Sequence, residues 1–356
     1  MRSRTSEWLQ TLTCRELLNS VFFVSGTRFS AARLFELNVA ERGRLQFEAP
    51  QFEPSTAGNS YPAPTLLPPL VRFVVAAIWA VGVFWGSGFV YGLFPEHELI
   101  PGVLFRVLDC ALTGAGFAFF LRVLDYNNSP VSAALGLPLD LTAGRQWSTG
   151  LALGALLITA NVVIVACFGS FQWHFHLVPR MMLRFTAVAV LLLAGALMEE
   201  LSFRGYPFQK LTEAFGAFWA VVVLSALFGA VHLWNPDAQG FMSWAFLNTI
   251  VVGLLFALAR IRTGSLWFSF GLHFGWNLFQ GAVFGLPVSG IRNFSSIVAA
   301  KAYGSPALTG GAYGPEASAT CSIVLVIALP LLWWLTTPRQ TSNQKEDSRQ
   351  SGESPY

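Results

Sequence analysis

Charge is what this sequence has little of. Only 12% of its 356 residues are Asp, Glu, Lys or Arg, against 54% from the hydrophobic set. A soluble globular chain carries about a quarter charged residues, because its surface must be wetted. The shortage argues against a soluble enzyme. The wealth of apolar side chains excludes disorder for most of the chain. The formal net charge is only +3, so nothing points to nucleic acid as a partner. Cysteine is scarce as well. The four residues, at 14, 110, 167 and 321, show no metal or redox spacing. There is no Gly-rich phosphate loop and no Gly-x-Ser-x-Gly elbow, so two common signatures of nucleotide and serine chemistry are missing.

The few charges are unevenly placed. Residues 1–65 hold seven arginines and six glutamates, and residues 336–356 hold three basic and three acidic side chains. Between them, residues 66–335 carry 22 charges, about 8%. The chain therefore divides into three parts: a polar N-terminal region ending in a Pro-rich linker (1–69), an apolar domain (70–335) and a polar tail (336–356). Leu12 to Val24 suits a small amphipathic surface helix or a loosely ordered tail.

A bilayer-spanning helix needs about 20 mostly apolar residues. Eight runs qualify as candidates: 70–94, 103–121, 148–169, 182–203, 216–234, 243–259, 265–286 and 320–335. Turn chemistry separates them, as at Asn127-Asn128-Ser129-Pro130, Asn235-Pro236 and Thr263-Gly264. Barrel strands would alternate over about ten residues, whereas these runs are continuously apolar. The expected fold is all-α, a polytopic membrane bundle of about eight helices in contact with lipid. The basic tails and Arg72 favour both termini on the cytoplasmic side of a bacterial-type cell membrane.

Ionisable groups inside such runs are costly, about 2.5–3.5 kcal/mol each on insertion scales, and are therefore informative. Three clusters stand out. Met198-Glu199-Glu200-Leu201-Ser202-Phe203-Arg204 ends the fourth run. Glu200 and Arg204 are four apart, share a helix face and can pair. Glu199 lies about 100° around the helix and is left free to take a proton. Phe228-Gly229-Ala230-Val231-His232 closes the fifth run, and His273-Phe274-Gly275-Trp276-Asn277 lies in the seventh. His273 and Asn277 again share a face, so Asn277 can orient the imidazole or donate to a developing oxyanion.

A carboxylate, two imidazoles and an amide from three runs can do two things. Glu199, His232 and His273 can ligate a divalent metal, zinc by preference, with room left for water. Alternatively Glu199 acts as general base on a water held by the histidines, with Asn277 beside the oxyanion. Both give peptide hydrolysis by activated water.

The order Glu-Glu-x-x-x-Arg (199–204), Phe-x-x-x-His (228–232) and His-x-x-x-Asn (273–277) resembles the CPBP family of CAAX prenyl endopeptidases and bacteriocin-processing intramembrane proteases. The resemblance covers about residues 180–285. It implies a helical membrane protein with its site inside the bundle and a peptide or protein substrate. It also implies Glu199 as water-activating base, His232 and His273 as water or metal partners and Asn277 as oxyanion helper. Glu200 and Arg204 fill the remaining positions of the first motif.

Two rivals come from other classes. A membrane scaffold would keep these residues for packing. A proton-coupled transporter also uses intramembrane carboxylates and histidines, but should show an internal repeat or paired broken helices. Of the other polar features, Asp109 is read as the partner of Arg106, His97 as a solvated loop residue, and Phe171 to His176 as an interfacial aromatic belt.

Overall fold

The computed structural model describes residues 66–92, 99–167, 171–175, 181–292, 294 and 298–337. The readings of Leu12–Val24, His97 and His176 fall outside these residues. The described chain is mainly helical: α1 (Pro69–Gly92), α2 (Leu99–Val123), a short α3 (Val131–Ala134), α4 (Ala143–Cys167), α5 (Met181–Arg204), α6 (Tyr206–Phe215), α7 (Ala217–Val231), α8 (Trp244–Thr263), α9 (Trp267–Leu278), a short α10 (Pro306–Thr309) and α11 (Ala319–Leu335). Two strands, β1 (Phe171–Phe175) and β2 (Val298–Ala302), pair antiparallel with Phe171 opposite Ala302. The aromatic segment Phe171–Phe175 is thus a strand.

Every one of the eight apolar runs lands on a helix, but the count of eight spans is not supported. Six described segments are long and apolar enough to cross a bilayer: Pro69–Val90, Leu99–Val123, Ala143–Cys167, Met181–Phe215, Ala217–Trp234 and Trp244–Thr263. The eighth run gives the shorter apolar helix α11. The seventh gives α9, only 12 residues long and followed by a π turn at Phe279–Val283. Residues 268 to 276 of α9 are all buried, as befits a short helix apolar on every side.

Glycine explains how α9 sits so deep. A Cβ on Gly150 or Gly154 of α4 would come within 2.1 Å of a carbonyl oxygen of α9. A Cβ on Gly271 or Gly275 of α9 would come within 2.2 Å of one in α4. The two backbones touch across these glycine pairs, each spaced by four, as small residues permit between membrane helices. The main apolar core lies around this contact. It joins Ile158 and Val162 of α4, Leu255 and Phe256 of α8, Leu272 and Trp276 of α9, and Leu325 and Leu332 of α11.

Ser243 and Ser318 cap α8 and α11, accepting the backbone N–H of Phe246 (3.2 Å) and Cys321 (3.1 Å). Arg106 and Asp109 of α2 form the expected pair, at 3.5 Å.

Candidate active site

Four helices bring the three motifs together. Helix α5 carries Glu199, Glu200 and Arg204. His232 follows α7 as the first residue of a 3-10 turn, His232–Trp234. Helix α9 carries His273 and Asn277, and α8 supplies Gly253 and Phe256 between them. The fourth apolar run, expected to end at residue 203, continues through α6 as the segment Met181–Phe215. That segment is two helices broken at Gly205, and Glu199 lies in the last two turns of the first.

Glu200 and Arg204 are fully enclosed, with side chains 0% and 1% exposed. Arg204 Nη1 donates to Glu200 Oε1 (3.4 Å), and Nη2 donates to the Gly253 carbonyl (3.2 Å). The guanidinium also lies 4.3 Å from the ring centre of Phe228 and 5.2 Å from that of Phe256. Such cation–π contacts are strongest where water is excluded. Phe228 of the second motif thus serves Arg204 of the first.

His273 stands between the two glutamates. Its Nδ1 is 3.2 Å from Glu200 Oε1 and its Nε2 is 3.7 Å from Glu199 Oε2. An ionised carboxylate only accepts, so Nδ1 donates to Glu200 and Nε2 is the nitrogen turned to Glu199. Phe256 stacks on the ring at 4.8 Å and holds its plane. The Glu199 side chain is 29% exposed, which distinguishes it from its sealed neighbour. His232 Nδ1 donates to the Phe228 carbonyl (2.7 Å), leaving its Nε2 for other partners.

A cavity of about 30 Å³, room for roughly one water, lies beside these groups. Its walls include His232, His273 and Asn277 together with Asn248, Trp276, Ser289 and Glu316. Glu199 is not among the wall residues, though it approaches one of them, His273, at 3.7 Å. The expected residues thus share one neighbourhood but not one chamber.

The expected zinc set, Glu199, His232 and His273, does not gather around a point. Among the described residues no three His, Cys, Asp or Glu side chains are placed to hold one metal ion. The donor set does not fit a zinc site, whose ligands must lie about 2 Å from the ion.

Glu316 is the polar residue of this site that sequence reasoning missed. It lies in a 3-10 turn, Pro315–Ala317, just before α11. Its Oε1 accepts Trp276 Nε1 (3.2 Å), and its Oε2 accepts the backbone N–H (2.6 Å) and the hydroxyl (3.0 Å) of Ser289. Its backbone carbonyl accepts Asn248 Nδ2 (2.7 Å). Burial pushes its carboxyl above the usual carboxylate range, against the hydrogen bonds of Ser289 and the charge of His232. These bonds hold Ser289 at φ 48°, a conformation uncommon for residues other than glycine. The stretch Gly310-Gly311-Ala312-Tyr313-Gly314-Pro315 before it reads simply as a loop. The available signal was one acidic residue set against an apolar run.

Glu316→Ala leaves three buried or partly buried donors, Trp276 Nε1 and the N–H and hydroxyl of Ser289, without an acceptor. We expect a loss of about 2 kcal/mol or more, read as a lower thermal midpoint of the purified full chain. Trp276→Phe removes one donor along with its need and is expected to cost less.

Comparison with known proteins bears on the same stretch. Residues 180–279 match the model of the type II CAAX prenyl endopeptidase Rce1-like family. An uncharacterized protein of Bacillus subtilis (strain 168), YyaK, is 33% identical over 86 residues, which are 23% of this chain and 27% of that protein. The chain therefore spans little more than a quarter of the length of the curated relative it matches. No solved structure matches. The matched segment contains Glu199, Glu200, Arg204, His232, His273 and Asn277, and over these residues the chain is similar to the Rce1-like CAAX prenyl endopeptidases.

Proposed function

We propose that this protein is an intramembrane endopeptidase that hydrolyses a peptide bond with a water activated by Glu199. The observation that carries the reading is the pair of contacts at His273. Nδ1 is taken by the sealed Glu200–Arg204 pair, and Nε2 faces the more exposed Glu199 at 3.7 Å. That separation is too long for a direct hydrogen bond, yet one water can reach both atoms. Glu199 takes the proton of that water as it attacks the scissile carbonyl, and later returns it to the departing amine.

Beside His273, Asn277 and His232 line the small cavity. The Asn277 amide is the donor suited to the carbonyl oxygen as negative charge develops on it. The substrate is a peptide or protein segment that reaches the site within the membrane.

The test is cleavage of a peptide by the purified full chain reconstituted in lipid, with and without a chelator. Cleavage unaffected by the chelator is expected. Loss with chelator and recovery with added zinc would instead support metal catalysis. Cleavage by neither preparation, on any peptide that relatives of the family process, would favour the scaffold or transporter readings. Asn277→Ala is expected to lower kcat by about 100-fold or more, the usual effect of removing one oxyanion donor, with a smaller change in KM.

A further inference from the structure

Arg260 does not belong to the site described above, and its environment is unusual. It lies in the last turn of α8, a segment long and apolar enough to cross the bilayer. The residue is only 9% exposed. Its Nε is buried with no hydrogen-bond partner, and among the described residues no carboxylate pairs with it. An arginine stays protonated under all ordinary conditions. A buried charge without a counter-charge is strongly unfavourable. An anion from outside the described residues would neutralise it.

The surroundings indicate what kind. The guanidinium is roofed by the backbone at Gly136, which sits at φ +89°. A Cβ there would come 3.3 Å from Arg260 Nη2 and 3.4 Å from Nε, so glycine lets the loop backbone close onto that side of the guanidinium. The roof is fixed from both sides. Leu266 N donates to the Gly136 carbonyl (2.6 Å), and Gln209 Nε2 donates to the Ala134 carbonyl (2.8 Å).

Further cations stand on the same rim. Arg262 leaves the same turn of α8 and is held by the hydroxyls of Thr336 (3.3 Å) and Thr337 (3.1 Å). Arg145 is exposed at the start of α4, where its neighbour Gln146 bonds Ser265. The acid on this loop, Asp140, is already engaged by Thr142 N (2.8 Å), Thr142 Oγ1 (2.7 Å) and Ala143 N (3.1 Å). The rim is therefore positive, recessed and at the end of a membrane-spanning helix.

We propose that Arg260 binds a phosphate oxyanion, supplied by the headgroup of an acidic phospholipid lodged between the α3–α4 loop and the end of α8. A guanidinium fork matches two phosphate oxygens, and basic pockets between membrane helices at this depth suit lipid headgroups. The site is independent of the peptidase reading.

The experiment uses the delipidated full chain in detergent. Phosphatidylglycerol binding is measured by native mass spectrometry and by the rise in thermal midpoint, with inorganic phosphate in a parallel arm. The wild type should bind phosphatidylglycerol and gain stability from it. Arg260→Met should weaken binding roughly tenfold or more, the value of one charged hydrogen-bonded contact. Without lipid it should be at least as stable as the wild type, because an unpaired buried charge is gone. Arg260→Lys should retain part of the affinity. An equal, Arg260-dependent response to inorganic phosphate would keep the site and make free anion its source. Unchanged phosphatidylglycerol binding by Arg260→Met would overturn the proposal. So would an equal loss in Arg262→Gln, which would mean that only the general surface charge matters.

Discussion

Glu199→Gln is expected to cut peptide cleavage by about 10²- to 10⁴-fold, the usual contribution of a positioned general base. The change keeps shape and volume and removes only the ability to hold a proton. The Glu199 side chain is 29% exposed, and among the described residues its nearest charged partner is His273 at 3.7 Å, too far for a hydrogen bond. Its loss should therefore shift stability by no more than about 0.5 kcal/mol, as for other partly exposed positions. The variant is expected to insert, purify and melt like the wild type. Loss of activity without loss of fold separates catalysis from packing, and so separates the peptidase from a scaffold. Full activity in Glu199→Gln would end the assignment of this residue as base.

How much of this could be read from the sequence depends on the range of the interaction concerned. The Glu200–Arg204 pair was legible because residues four apart meet on one helix face whatever the tertiary fold. The relation of Phe228 to His232 was legible for the same reason, and the rings do touch, with centres 4.6 Å apart. The stacking of Phe256 on His273 and the bond from Arg204 to the Gly253 carbonyl were not. They join helices whose registers depend on packing. The seventh run was misjudged because hydropathy measures how apolar a segment is, and lipid and protein interior are alike in that respect. The glycine pairs at 150 and 154 and at 271 and 275 were the overlooked clue, since close backbone approach needs them. Glu316 was illegible for a different reason. Its partners Trp276 and Ser289 come from separate elements, and a loop has no periodicity to betray which of its side chains points inward.

Glu200→Gln should show the opposite behaviour to Glu199→Gln. Glu200 is fully buried and its Oε1 serves both Arg204 Nη1 and His273 Nδ1. Removing its charge leaves the Arg204 guanidinium enclosed without its sealed counter-charge, among the Gly253 carbonyl and the faces of Phe203, Phe228 and Phe256. Breaking a buried pair in this way costs about 3–5 kcal/mol, so a large fall in thermal midpoint is expected. The glutamine oxygen can still accept from His273 Nδ1, and the fraction that folds should retain more activity than Glu199→Gln. The double variant Glu200→Gln/Arg204→Met removes both charges and is expected to be more stable than Glu200→Gln alone, a coupling that a double-mutant cycle reads directly. Two neighbouring carboxylates on one helix would then differ because one is sealed against a guanidinium and the other is not. If Glu200→Gln instead abolished cleavage with no change in melting while Glu199→Gln chiefly unfolded the protein, the roles of the two residues would have to be exchanged.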